Sequence, residues 1–122
     1  MVSLLLLVAV TGCSRSVPAQ QIVGTYIARY PFGNAKLILS GDGTFVQTVS
    51  VGQQSPAVAH GSWQFDARRS KITLRGAMPV VDGSGHLQTD WRTTDELPEQ
   101  PVERVWFKIE IESSNDYPYV KQ

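Results

Sequence analysis

Apolar and polar residues alternate with a period of two along most of this chain, a pattern typical of β-strands that bury one face. The clearest example spans residues 35–49, where two alternating segments flank a Gly-Asp-Gly loop at residues 41–43. A two-residue turn at Asp-Gly would place Ile38 opposite Phe45. A three-residue loop that ends in a left-handed glycine instead places Leu39 opposite Phe45 and joins both to one face. We predict the three-residue loop, because a one-residue slip would turn a strand's apolar side chains to the wrong face.

Alternating segments of this kind predict seven strands. They lie at residues 22–29, 35–40, 44–51, 58–65, 71–75, 86–93 and 102–112. A four-residue loop at residues 67–70 sets Phe65 opposite Ile72. The same register sets Trp63 opposite Leu74, so two large apolar cross-strand pairs support this hairpin.

The final segment, residues 102–112, is predicted as one uninterrupted strand, and the tail at residues 115–120 as extended or loosely packed. One face of the strand would carry Val105, Phe107, Ile109 and Ile111. The other face would carry Arg104, Trp106, Lys108, Glu110 and Glu112. A long antiparallel sheet exposes reactive edges unless it closes. The sequence therefore predicts an all-β fold, an antiparallel meander closed into a small barrel of about seven or eight strands.

The interior of such a barrel decides whether it can carry a ligand. The side chains predicted to point inward are Tyr26, Leu37, Leu39, Phe45, Val49, Trp63, Phe65, Ile72, Leu74, Leu87, Trp91, Val105, Phe107, Ile109 and Ile111. A barrel of about eight strands is filled by its side chains or holds one small ligand, and these bulky residues favour filling. The loop at residues 76–85 has an apolar middle that could cap one end. Small residues in the segment 58–65 nevertheless leave space beside Trp63. The alternative is therefore an apolar pocket at one mouth, with Tyr26, Trp63 and Phe65 as candidate ligand-lining residues.

The first thirteen residues carry the most specific functional signal. Residues 4–10 form an apolar run that has the length of a secretory signal peptide but is too short to span a bilayer. Residues 10–13, Val-Thr-Gly-Cys, follow directly and resemble the lipobox of bacterial lipoproteins. The resemblance implies cleavage between Gly12 and Cys13 and acylation of Cys13, and Ser14 implies transfer to the outer membrane. The alternatives are a plain signal peptide, or a buried helix whose cysteine is incidental.

The domain organisation follows from this N-terminus. We predict a lipoprotein signal peptide at residues 1–12, a lipidated anchor and tether at residues 13–21, and a single β-barrel domain at residues 22–122. A chain of 122 residues has room for one domain. Cys13 is the only cysteine, so the mature domain would have no disulfide, thiolate nucleophile or sulfur metal ligand. Eleven basic and eleven acidic residues give no net charge and no electrostatic case for binding nucleic acid.

Several short motifs occur together in the first half of the predicted barrel. They are Gly24-x-Tyr26, Leu37-x-Leu39, Asp42-Gly-Thr-Phe45, Gly61-x-Trp63 and Ile72-Thr-Leu74. Together they resemble small lipocalin-like lipoproteins of the bacterial envelope, in particular the N-terminal domain of the copper-response outer-membrane lipoprotein family. The resemblance covers residues 22–75 and implies a lipocalin-like barrel. That family carries a Cys-x-x-Cys pair where this chain has Pro-Phe-Gly-Asn at residues 31–34, so copper or redox sensing through thiols is not implied.

Candidate catalytic and metal-binding residues are few. His60 and His86 are the only histidines, and with Asp66 or Asp90 they could supply imidazole and carboxylate ligands for zinc or copper. Both histidines fall on the outward face of their strands without close ligand spacing, so we predict surface histidines and no metal. Ser62 lies two residues from His60, but this pair is not a catalytic triad, and no Gly-x-Ser-x-Gly elbow is present. We predict no catalytic residues, no enzyme activity and no cofactor.

Trp106 is the large apolar residue that the alternation places on the outside. It lies on the outward face of the last strand, between Arg104 and Lys108, and tryptophan and arginine concentrate binding energy at protein interfaces. The alternative is that the tail, the tether or a helix covers Trp106. We therefore expect a non-enzymatic lipoprotein of the bacterial cell envelope, held at the outer membrane and facing the periplasm, that binds other envelope proteins. The alternative function is a lipocalin-like carrier or sensor of a small apolar ligand.

Overall fold

The computed structural model describes residues 17–80, 99–112 and 117–122, which fold into a closed barrel of antiparallel strands. In chain order the strands are β1 (Gly24–Tyr30), β2 (Gly33–Leu39), β3 (Thr44–Val51), β4 (Ala57–Asp66), β5 (Lys71–Arg75), β6 (Gln100–Val105), β7 (Lys108–Ile111) and β8 (Tyr119–Lys121). Each strand pairs with the next one along the chain, and β8 pairs with β1 to close the barrel. The prediction of an all-β antiparallel barrel is confirmed. The strand predicted at residues 86–93 lies outside the described residues.

The β2–β3 hairpin has the predicted three-residue loop. Leu39 pairs with Phe45, and Gly43 ends the loop with a positive φ of 87°, a conformation that glycine adopts without steric cost. The carboxylate of Asp42 accepts hydrogen bonds from the backbone N–H and the hydroxyl of Thr44, at 3.0 and 2.6 Å. This carboxylate stabilises the loop, and Leu39 and Phe45 both lie in the core.

The β4–β5 hairpin also has its predicted register. Trp63 pairs with Leu74, and Phe65 pairs with Ile72. The β5 members of these pairs are buried and the β4 aromatics are half-buried, so all four side chains contribute to one face of the sheet.

The prediction of one uninterrupted strand at residues 102–112 is wrong. The chain reverses at Trp106 and Phe107, so that β6 and β7 form a hairpin in which Val105 pairs with Lys108. Trp106 has a positive φ of 57°, as the first central residue of a type II′ turn does. None of the residues usual at that position is present in the sequence Val-Trp-Phe-Lys. The alternation of apolar and polar residues therefore continues across the turn, and the sequence contains no local signal of the reversal.

The reversal changes which side chains point inward. Arg104 pairs with Ile109 and shares the inner face with it, while Val105 shares the outer face with Lys108. Phe107 is 94% exposed at the turn. The predictions that Arg104 faces outward and that Val105 and Phe107 face inward are therefore wrong. Both isoleucines of β7 are buried as predicted.

The tail, predicted as extended or loosely packed, is extended at β8 and completes the barrel. β8 pairs with β7 on one side and with β1 on the other. Tyr119 is buried, and the backbone N–H of Gln122 donates to the carbonyl of Thr25 at 2.8 Å. β8 has only three residues, so the closure of the barrel depends on a short strand.

The direction of the strands defines two ends of the barrel. β1 begins and β8 ends at one of them, which we call the tether end, because the N-terminal residues enter the barrel there. β7 runs antiparallel to β8, so β7 begins at the tether end and the Trp106–Phe107 turn lies there as well. The opposite end, where β1 turns into β2, is the far end.

The N-terminal residues close the tether end. Val17 and Ile22 are buried, with a 3-10 turn at Ala19–Gln21 between them. Burial raises the pKa of Tyr26 to about 12, so its hydroxyl stays protonated and donates to the carbonyl of Ile22 at 2.6 Å. Val17, within the segment predicted as the tether, and Ile22, which follows it, thus pack against the barrel.

Candidate functional site

In the part of the chain that the structure describes, the protein's own bulky side chains occupy the barrel interior. Tyr26, a candidate for lining a ligand pocket, has no exposed surface. The largest fully buried side chains are Tyr26, Phe45, Ile22, Leu37, Leu39, Ile72, Ile111, Val17, Val49 and Val102. Most of them were predicted to point inward and to fill the barrel. A ligand inside the barrel would have to displace these side chains.

At the far end, a segment that follows β5 packs into the core and is held by one buried polar side chain. Ala77, Met78 and Val80 are buried. The side-chain amide of Gln47 donates to the carbonyl of Met78 at 3.0 Å, and its oxygen accepts the backbone N–H of Met78 at 2.6 Å. Gln47 thus satisfies both backbone groups of one buried residue, as a neighbouring strand would.

The same glutamine reaches an aromatic cluster at the far end. The amide of Gln47 donates to the hydroxyl of Tyr119 at 2.9 Å, and that hydroxyl is also hydrogen-bonded to Tyr30. The rings of Tyr30 and Phe32 stack with centroids 5.5 Å apart, and the ring of Tyr117 lies 5.3 Å from that of Tyr30. Burial raises the pKa of Tyr30 and of Tyr119. Both hydroxyls therefore stay protonated and serve as structural hydrogen-bonding groups.

Trp63 and Phe65, the other two candidates for lining a ligand pocket, lie together near the tether end. The indole N–H of Trp63 donates to the carbonyl of Ser40 at 3.0 Å, which fixes the ring beside the β2–β3 loop. Both aromatics border a surface depression of about 700 Å³. Its other lining residues are Gln64, Asp66, Ala67, Lys71, Thr73 and Glu99. This mostly polar lining does not suit a small apolar ligand, and Tyr26 is not part of it.

The two most exposed large apolar side chains among the described residues lie side by side at the β6–β7 turn. Trp106 is 88% exposed and Phe107 is 94% exposed. A positive φ, such as that of Trp106, lowers the folding stability by about 1–2 kcal/mol for a residue that has a Cβ atom. Glycine has no Cβ atom and would avoid this cost. The turn thus displays two aromatic rings in spite of backbone strain, and such strain is typical of functional positions.

The turn separates the three residues predicted to form an interface, Arg104, Trp106 and Lys108, so that they lie on different parts of the hairpin. The guanidinium of Arg104 donates to the side-chain oxygen of Gln21, so it links the hairpin to the N-terminal residues. Trp106 occupies the turn, and Lys108 is exposed at the start of β7. The three residues lie at one end of a hairpin but not on one face. Sequence reasoning missed Phe107 as a surface residue, because the alternation assigned it to the core.

A groove of about 330 Å³ crosses the outer face of β7, β8 and β1. It is lined by Ile27, Arg29, Lys108, Tyr117, Pro118, Val120 and Gln122. Ile27 pairs with Val120 across the closure of the barrel, which gives the groove an apolar floor. An apolar concave surface with a few charged residues is typical of a binding site. Sequence reasoning missed the groove, because its two floor residues meet only when the last strand joins the first.

An acidic group lies on the same side of the barrel. Glu103 pairs with Glu110, and Glu110 pairs in turn with Val120 of the groove. The pKa of Glu112 is raised by burial and then by the negative charges of Glu110 and Glu103. The groove therefore has the cationic side chains of Arg29 and Lys108 in its lining, and Glu110 lies opposite its floor residue Val120.

The candidate catalytic and metal-binding residues do not come together in the part of the chain that the structure describes. His60 and Ser62 are exposed on β4, and His86 and Asp90 lie outside the described residues. Within residues 17–80, 99–112 and 117–122, no three side chains of histidine, cysteine, aspartate or glutamate are placed to hold a metal ion. The same residues contain no helix of the length and apolarity needed to cross a membrane.

Gly12 and Cys13 also lie outside the described residues, so cleavage and acylation stay predictions from the sequence. Comparison of the chain with protein-family models, curated proteins and solved structures finds no match. The resemblance to lipocalin-like lipoproteins of the envelope therefore rests on the motifs alone.

Proposed function

We propose that this chain is a non-enzymatic lipoprotein of the bacterial cell envelope, anchored through acylated Cys13 in the outer membrane and facing the periplasm, that binds other envelope proteins. The lipobox at residues 10–13 supports the anchor, and several acyl chains on one residue give stable attachment without a transmembrane helix. The observation that carries the binding function is the filled barrel. Because its own side chains occupy the interior, a partner has to bind the outer surface.

The groove over β7, β8 and β1 is the surface that we assign to the protein partner. Its floor of Ile27 and Val120 suits an apolar side chain of the partner, which would be removed from water on binding. Arg29 and Lys108 can pair with carboxylates beside that side chain and favour one orientation. The groove thus combines an apolar centre with charged edges, the usual arrangement of a protein interface.

The alternative function, a carrier or sensor of a small apolar ligand, has one observation in its favour. Trp63 and Phe65 border the same surface depression. The remaining lining residues of that depression are mostly polar, and the core beside it is filled. Protein binding at the groove is therefore the function that the geometry supports better.

Photo-crosslinking from the groove tests the protein partner. A diazirine-bearing amino acid in place of Gln122, an exposed lining residue, is expected to crosslink to an envelope protein in intact cells. Adding Ile27→Thr should abolish the crosslink, because threonine keeps a β-branched side chain in the strand but removes the apolar floor. The measurement is the crosslinked band and its identification by mass spectrometry.

Val58 provides the matched control for this experiment. It is an outward-facing apolar residue of β4, 53% exposed, and the groove does not include it. Val58→Thr should leave the crosslink from position 122 unchanged. A crosslink that survives Ile27→Thr, or that Val58→Thr weakens to the same degree, would contradict a partner bound in the groove.

Replacement of Cys13 with alanine tests the anchor. The variant lacks the only thiol of the chain, so it should incorporate no labelled palmitate and should no longer fractionate with the outer membrane. Ser14→Ala is the matched control, because it alters the neighbouring residue and keeps the thiol. Palmitate incorporation into the Cys13→Ala chain would exclude Cys13 as the lipidated residue.

A further inference from the structure

The Trp106–Phe107 turn takes no part in the groove, although Lys108 beside it does. Its two rings are almost fully exposed, and the first of them sits on a backbone conformation that a smaller residue would adopt at lower cost. A turn that only had to connect β6 to β7 would favour glycine or asparagine at this position. The aromatic pair therefore indicates a contact outside the barrel.

The turn and the first described residues of the chain lie at the same end of the barrel. β1 starts at the tether end, β8 runs back to it, and β7 starts from it again, directly after the turn. The side chain of Arg104 at the base of the turn donates to Gln21. The residues that lead back to Cys13 are thus in direct contact with the hairpin that carries Trp106 and Phe107.

The chain between the anchor and the barrel is short. Val17 is already part of the core, and only three residues lie between it and Cys13, which makes four steps from one Cα atom to the next. Fully extended, that stretch spans at most about 14 Å. A folded domain of 100 residues has a radius of gyration of about 13 Å and is therefore roughly twice as wide as this gap. The tether end consequently lies against the membrane, with no room for a folded partner between the two.

We propose that the Trp106–Phe107 turn is seated in the interfacial layer of the membrane leaflet that holds the acyl chains of Cys13. The proposal rests on the lipid anchor of the proposed function. Tryptophan is enriched at the level of the lipid headgroups, where an aromatic ring with a polar N–H is well accommodated. Phe107 adds a second apolar side chain at the same depth.

Contact between the turn and the membrane would fix the orientation of the barrel, and with it the direction in which the groove meets the proposed partner. A lipid anchor alone attaches the barrel to the membrane at a single point. Anchor and turn together hold it at two points of the same end, with the barrel axis upright. The groove on the side of the barrel then faces along the membrane surface, towards neighbouring envelope proteins.

Lipid photo-crosslinking in native membranes tests the seated turn. A diazirine-bearing amino acid replaces Phe107 in the full-length protein, and the cells are irradiated. The protein is then digested, and the peptide that contains position 107 is analysed by mass spectrometry. We expect a phospholipid adduct at position 107. The same amino acid in place of Gln53, an exposed residue of the β3–β4 loop at the far end, should give no phospholipid adduct.

Trp106→Asn in the same background separates membrane contact from folding. Asparagine tolerates a positive φ, so the midpoint of urea unfolding should be unchanged or higher. The phospholipid adduct at position 107 should be lost, because the larger of the two rings is gone. An adduct of undiminished yield in this variant would overturn the role of Trp106.

The remaining outcomes decide between the proposals. A protein adduct at position 107, or no adduct, would overturn the seated turn, and the former would make the turn a protein interface. The mass of the Cys13 peptide from the same digest shows whether acyl chains are present. An acylated Cys13 without a phospholipid adduct at position 107 would overturn only this inference, whereas an unacylated Cys13 would overturn the anchor and the inference together.

Discussion

Replacement of Gly61 with alanine is expected to lower the free energy of unfolding by about 3 kcal/mol or more, because it overpacks the core. A Cβ atom at this position would lie 1.9 Å from the backbone oxygen of Arg75 and 2.7 Å from two ring atoms of Phe45. Phe45 pairs with Gly61 across β3 and β4, so its ring lies on the bare glycine backbone. The new methyl group would therefore separate β4 from β5 or expel the ring from the core.

Gly41→Ala is the matched control for this prediction. Nothing lies within 4 Å of a Cβ atom at Gly41, so the change in free energy of unfolding should stay within about 0.5 kcal/mol, as for an ordinary surface substitution. Urea unfolding of the two purified variants, followed by tryptophan fluorescence, gives both values. Equal stability of Gly61→Ala and Gly41→Ala would contradict the packing of Phe45 on Gly61.

Replacement of Gln47 with leucine is expected to cost about 3 kcal/mol of folding stability, because each buried polar group left without a partner costs about 1–3 kcal/mol. The variant would leave the backbone N–H and carbonyl of Met78 without their partner, and it would remove one hydrogen bond from the hydroxyl of Tyr119. The segment around Met78 would then lose its attachment to β3. Hydrogen exchange of the Met78 amide should increase in parallel with the loss of stability.

Two further variants make this prediction specific. Gln64→Leu changes an exposed glutamine of β4 and should alter the free energy of unfolding by less than about 0.5 kcal/mol. Gln47→Glu should be destabilised at neutral pH, because a carboxylate cannot donate to the carbonyl of Met78. Burial would raise the folded-state pKa of the new carboxyl above its unfolded value. Stability should therefore recover as the pH falls through the raised pKa, and an effect that is independent of pH would contradict the assigned hydrogen bonds.

The features that the sequence predicted correctly are those with a local signal. The β2–β3 register follows from a Gly-Asp-Gly loop and from the alternation on both sides of it, and the β4–β5 register from two aromatic residues opposite two aliphatic ones. The inward position of Gln47 could also be predicted from the sequence, because the alternation places it on the same face as Phe45 and Val49. A polar residue at an inward position is a signal of a buried hydrogen bond.

The features that the sequence did not predict depend on contacts between distant parts of the chain. No glycine, asparagine or aspartate marks the turn at Trp106, and the closed barrel rather than local propensity imposes it. A barrel whose neighbouring strands are all antiparallel needs an even number of strands, and the reversal between β6 and β7 contributes to that number. The groove exists only because Ile27 meets Val120 at the closure.

The closure also determines when this barrel can finish folding. β1 is made first and β8 last, so the pair that seals the barrel joins segments from almost opposite ends of the chain. Contacts of such long sequence separation form slowly, and this one cannot form until β8 has been synthesised. Until then β1 and β7 each present an unpaired edge that can recruit strands from other chains. We therefore expect nascent and C-terminally truncated chains to be the aggregation-prone forms of this protein.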